Sequence, residues 1–208
     1  MKRILMSICA SAGLVRPEQS APVASPPVRR CQMTVISFGT RDGVYDRHLA
    51  QLAAQCDAFG LRRDLRLIPP ASRIAACLQK PAFIREMLEC HQQPVLWLDA
   101  DTRINRAFEL PGGRWDLGLV PNTSWRKRRR RPTCAFVIAA APTPSAHAFL
   151  DAWAYLCANP GLAPGRTDHS RLTWTREMLD GLYAEINLSR SLHGALTRDP
   201  GTRKEKTI

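Results

Sequence analysis

Two aspartates one residue apart, Asp99 and Asp101, follow directly on the apolar run from Pro94 to Leu98. Carboxylates with this spacing reach one ligand only where a strand ends and the chain begins to turn. Their oxygens together favour a hard divalent cation, Mg²⁺ or Mn²⁺, with water and phosphate oxygens completing its shell. In open α/β sheets ligands collect beyond the carboxyl ends of the strands, which makes this pair the first candidate site. The plain alternative is two solvated loop aspartates, but their place immediately after an unbroken apolar run favours a site.

The elements that would position the pair can be read from patterning. PVLWLDAD (Pro94 to Asp101) has its proline only at the entry, as expected of a central strand buried on both faces. MTVISF (Met33 to Phe38) predicts a first strand, ended by a turn with Gly39 and Gly43. Tyr45, Leu49, Leu52, Ala53, Cys56 and Phe59 recur at helical spacing, and Gly60 stops that helix. Leu65 to Pro69 predicts a second strand. Pro81 suits a first helical position, with Phe83, Ile84, Met87 and Leu88 as the apolar face and Lys80 just before the start. Strands are expected over Trp115 to Pro121 and Thr133 to Ala140, then helices around Phe149 to Cys157 and from about His169 to Tyr183. Strands alternating with helices indicate an α/β sandwich on a mostly parallel sheet.

Composition sets the frame. The 208 residues suffice for one domain, and 45% hydrophobic with 23% charged residues excludes collagen-like, coiled-coil and wholly disordered chains. Residues 1–32 are expected to be a disordered leader or a weak signal-like segment, from the short apolar stretch after Lys2-Arg3 and the Pro-rich, small polar residues 16–31. The folded unit is expected over 33–200, and 201–208 form a basic tail. The net charge of +12 is uneven, because residues 126–131 are a continuous Arg/Lys run, read as a solvated loop able to contact anions. Seven cysteines without paired spacing argue against a zinc site or disulfide framework and suit a cytoplasmic setting. No apolar stretch is long enough for a transmembrane helix.

The segment KPAFIREMLECHQQPVLWLDADTRI (Lys80 to Ile104) resembles the central signature of the nucleotide-diphospho-sugar transferases, glycosyltransferases of the GT-A fold with a DxD motif. The likeness extends back to the first strand and the helix ending in FGL (Phe59 to Leu61). It extends forward to FLDAW (Phe149 to Trp153) and to the Asp that opens DHSRL at Asp168. The resemblance implies sugar transfer from a UDP- or GDP-sugar to a glycan, lipid or protein acceptor. It puts Asp101 on the metal and Asp99 on the metal or near the ribose, with Thr40 and Tyr45 facing the nucleotide. Lys80 becomes a diphosphate contact, Asp168 a residue near the acceptor or sugar, and His193 in LHGAL a third metal ligand. The sequence departs from the pattern in pairing Asp168 with His169 rather than Gln, in its shortness, and in offering no clear general base.

Two other classes compete. LDADT also fits the first motif of haloacid-dehalogenase-like phosphatases. Those enzymes need a downstream Lys and a second acidic pair, whereas Asp116, Asp151, Asp168, Asp180 and Asp199 are all isolated. A nucleic-acid-binding protein, or a catalytically degenerate one, could use the arginine run against phosphates. Trp115, Trp125 and Phe136 around the run form no spaced stacking platform.

Overall fold

The computed structural model describes residues 33–121, 133–163, 165–189 and 191–198. The expected leader, the basic run at 126–131 and the tail lie outside the described residues.

The chain runs β1 (Thr34–Thr40), α1 (Val44–Ala58), β2 (Arg62–Ile68), α2 (Arg73–His91), β3 (Val95–Leu98) and β4 (Thr102–Ile104). It continues with β5 (Leu117–Pro121), β6 (Thr133–Ala140), α3 (Pro144–Ala158), α4 (Asp168–Met178), β7 (Glu185–Asn187) and β8 (Leu196–Arg198). Six strands form one sheet in the order β2-β1-β3-β6-β5-β7, and β4 pairs with β8 apart from it. β1 is parallel to β2 and β3, and β5 to β7, while β6 runs antiparallel to both neighbours. The expected α/β sandwich on a mostly parallel sheet is the observed one, with β6 as the reversed strand.

Period-2 alternation divides the core into two layers. Ile36 and Phe38 of β1, with Val95 and Trp97 of β3, pack with Phe83, Ile84, Met87, Phe149 and Trp153 beneath α2 and α3. Val35, Leu96 and Leu98 point the other way, toward Leu52 and Cys56 of α1 and toward Ile104, Trp115 and Leu188. All four residues of β3 are buried, which is why its sequence is apolar without alternation.

Three expectations change. α2 begins eight residues before Pro81, capped by Ser72, whose hydroxyl accepts from Ala75 N at 3.2 Å. Its first turn is exposed and lacks an apolar stripe, so only the cap marks the start. Pro81 is an interior residue that omits one helix bond, to the Cys77 carbonyl, and Lys80 sits mid-helix and buried. α4 stops at Met178, and β4, β7 and β8 are additional three-residue strands.

Gly39 lets α1 approach β1. A Cβ there would lie 2.9 Å from Tyr45 Cβ and 3.1 Å from Leu49 Cδ1. Gly39→Ala is therefore expected to lose about 1–3 kcal/mol by overpacking and to shift Tyr45. An unchanged urea midpoint would show that the helix yields freely.

Candidate active site at the carboxyl edge of the central strand

β3 ends at Leu98, and the chain turns at once: Asp99 N donates to Phe136 O at 2.9 Å and Thr102 N to Asp99 O at 2.8 Å. Asp99 and Asp101 are the first and third residues of this turn, so both carboxylates face one point. That point holds a guanidinium. Arg198 Nη2 lies 3.0 Å from Asp99 Oδ2, 2.8 Å from Asp101 Oδ1 and 2.9 Å from Asp101 Oδ2, and its Nε donates to Asp101 Oδ1 at 3.2 Å. The backbone brings it there, because the β4–β8 ladder sets Arg198 opposite Thr102. The Arg198 side chain is 40% exposed; the desolvation it meets at the pair works against its charge, but the two carboxylates outweigh it and strengthen its hold on the proton.

A second cation lies beneath. Lys80 Nζ is 2.8 Å from Asp99 Oδ1, 2.7 Å from Asp168 Oδ2 and 2.8 Å from Ala135 O, and 5.2 Å from the centre of the Trp97 ring. Trp97 Nε1 also donates to Asp99 Oδ1 at 3.0 Å. With the Lys80 and Asp168 side chains only 4% and 3% exposed, the ammonium joins three elements inside the fold. Desolvation disfavours both charges, yet each is held: the carboxylates keep the ammonium protonated above its usual range, and Lys80 with His169 holds Asp168 well below the carboxylate range. Trp153 Nε1 donates to Asp168 O at 3.1 Å, and His169 Nε2 accepts from Ala135 N at 3.1 Å, fixing the start of α4 against β6.

The rim is built at the end of β1. Thr40 Oγ1 donates to Asp42 Oδ2 at 2.7 Å, and Asp42 Oδ1 accepts from Val44 N and Tyr45 N at 3.0 Å each. Burial opposes ionisation of Asp42, but these hydrogen bonds prevail and hold its carboxyl low. The turn thus orients Tyr45. Burial, then the nearby charge of Asp101, raises the Tyr45 phenol, while Arg73 acts in the opposite sense. Arg73 opens α2, is exposed, and pairs with no described carboxylate.

Of the residues singled out from sequence, the fold brings Asp99, Asp101, Lys80 and Asp168 into one network, with Thr40 and Tyr45 at its edge. His193 does not join it. It is exposed in the turn before β8, where its carbonyl accepts from Arg106 Nη2 at 2.5 Å. Among the described residues no three His, Cys, Asp or Glu side chains form a metal-holding group, so the expected trio of Asp99, Asp101 and His193 is not assembled. The sequence reading missed Arg198, Arg73 and Asp42. Arg198 lies 97 residues from Asp101 and carries no local signal.

The donor set does not fit a divalent ion as arranged. All four oxygens of Asp99 and Asp101 lie within 3.0 Å of a cationic nitrogen. A metal about 2 Å from these oxygens would need the space that Nη2 holds.

No helix among the described residues is long and apolar enough to cross a membrane. No protein-family model matches the sequence, and a search of curated proteins gave no match. Solved structures do match. One is a glycosyltransferase involved in the glycosylation of the major capsid of PBCV-1, with TM-score 0.62 and 13% identity over 83% of this chain and 97% of that one. Another is the glycosyltransferase GlyE of Streptococcus pneumoniae TIGR4, with TM-score 0.53 and 14% identity over 86% of this chain. This chain spans about half of the GlyE chain, 51%. At these identities the likeness is one of fold: the chain has an α/β fold of the GT-A glycosyltransferase type, with a mostly parallel central sheet flanked by helices.

Proposed function

We propose that the cleft at the carboxyl edge of β1 and β3 binds a nucleoside diphosphate sugar and that the protein transfers the sugar to an acceptor. The observation that carries this reading is the turn-borne pair Asp99 and Asp101, set beside Tyr45 and Arg73 at the edge where α/β sheets take their ligands. Tyr45 offers an aromatic face and a hydroxyl to a nucleoside. Arg73, together with the amino end of the long helix α2, suits the diphosphate. Lys80 and Asp168 act through Asp99, as positioning groups. The Mn²⁺ or Mg²⁺ suggested by the sequence is the competing arrangement on Asp101 and Asp99, and it requires Arg198 to leave.

Donor turnover tests the reading. A panel of UDP- and GDP-sugars is incubated with the protein and release of nucleoside diphosphate is followed. Wild type is expected to release UDP or GDP, and Asp101→Asn to slow that release, because the amide holds the Arg198 guanidinium less firmly than the carboxylate does. Release at equal rates by both proteins would remove Asp101 from the chemistry, and no release from any donor would count against transfer. Arg73→Gln is expected to weaken UDP or GDP binding by about tenfold, the loss of one charge-assisted phosphate contact, with unfolding unchanged. Unchanged affinity would move the diphosphate elsewhere.

A further inference from the structure

The Asp99–Asp101 pair already has a cation, and it belongs to the chain. A single nitrogen, Arg198 Nη2, stands within 3.0 Å of three carboxylate oxygens, where a metal bridging the pair would stand. This contact is built from the backbone outward. Arg198 is in ladder register with Thr102, the residue after Asp101. The same segment is pinned by Asn105 N to Ala195 O at 2.8 Å, Asn105 Nδ2 to Thr197 Oγ1 at 3.2 Å, and the Arg106 bond to His193 O. Its guanidinium carbon lies 5.7 Å from the centre of the Phe136 ring, a second support that does not involve the carboxylates.

The charges around the pair agree. Among the described residues the carboxylates of Asp99, Asp101 and Asp168 face Lys80 and Arg198, and His169 Nδ1 lies 3.6 Å from Asp168 Oδ1. A divalent ion on the pair would stand against a guanidinium already at contact distance from it.

We propose that Arg198 is the resident cation of the Asp99–Asp101 pair and keeps divalent metal ions off it, so that a nucleoside diphosphate is bound without a metal. The first half stands on the ion pairs alone. The second rests on the function proposed above.

The test is a titration of MnCl₂, without nucleotide, into wild type, Arg198→Met and Arg198→Lys, followed by the loss of the free Mn²⁺ electron paramagnetic resonance signal. Circular dichroism and thermal unfolding check that each variant folds. Arg198→Met removes the guanidinium from the pair, leaving Lys80 on Asp99, and is expected to bind Mn²⁺ at least about tenfold more tightly than wild type. Arg198→Lys keeps the charge without the fork and should fall between them, so it preserves the test if the Met variant does not fold. Equal Mn²⁺ affinity in wild type and the variants overturns the proposal.

A second arm titrates UDP and GDP in EDTA and in MnCl₂. Wild type is expected to bind equally in both, and Arg198→Met to need Mn²⁺. Wild-type binding that appears only with Mn²⁺ also overturns the proposal. If neither nucleotide binds under any condition, the functional reading fails, and the Mn²⁺ arm still decides the role of Arg198.

Discussion

Replacing Lys80 with Met is expected to lower stability by about 3–5 kcal/mol, because it leaves two carboxylates, one of them deeply buried, without their shared counter-ion. The cost arises from Asp168, whose side chain is 3% exposed and cannot turn to water. Adding Asp168→Asn to Lys80→Met should therefore recover part of the loss, a coupling that a double-mutant cycle in urea measures.

The pH dependence has a definite sign. Asp168 is held below its unfolded pKa, so its contribution is present above about pH 4 and fades as pH falls. Lys80 is held above its unfolded pKa, so its contribution is complete below about pH 10 and is lost as pH rises beyond that. The gap between wild type and Lys80→Met should thus be widest in the neutral range and narrow as pH falls from about 5 to 2. A gap independent of pH would assign the loss to packing of the lysine stem.

The second large effect is expected at Trp153. It is a fully buried residue of α3, and its indole N–H donates to the carbonyl of Asp168. Trp153→Ala should lose about 3–5 kcal/mol from lost burial and the cavity left behind. Trp153→Phe keeps most of the volume and removes only the indole's hydrogen bond to a carbonyl that still accepts within α4, and should lose about 1 kcal/mol. Equal losses for the two would put the weight on the hydrogen bond instead of the volume. The Phe variant should also loosen the start of α4, seen as faster amide exchange at His169 and Ser170.

The sheet was legible where local pattern and burial agree. β3 reads as central because all its residues are buried, and β1 because Ile36 and Phe38 share one layer while Val35 joins the other. The reversal of β6 was not legible, since strand direction depends on the whole topology and TCAFVIAA is equally apolar either way. Pro81 misplaced the start of α2, because a proline inside a helix and one at its first turn leave the same local signal. That error set Lys80 at an exposed helix start instead of in the buried network. The aspartate pair was found from two adjacent features, an apolar run and a turn. Its cation was not, because Arg198 reaches it through a ladder closed between Thr102 and the far end of the chain. Arg73 and Asp42 were missed for a related reason: each lies in a turn or first helical turn without apolar periodicity.

A nucleoside diphosphate site at this edge of the sheet is decided by calorimetric titration of UDP and GDP into wild type, Asp101→Ala and Arg73→Gln, in EDTA and again in MnCl₂. At least one nucleotide is expected to bind wild type, Arg73→Gln to weaken it by about tenfold or more, and Asp101→Ala, which releases the Arg198 guanidinium, to change it. No binding by wild type in either buffer, or binding that both variants retain in full, would contradict a nucleoside diphosphate site at this edge of the sheet.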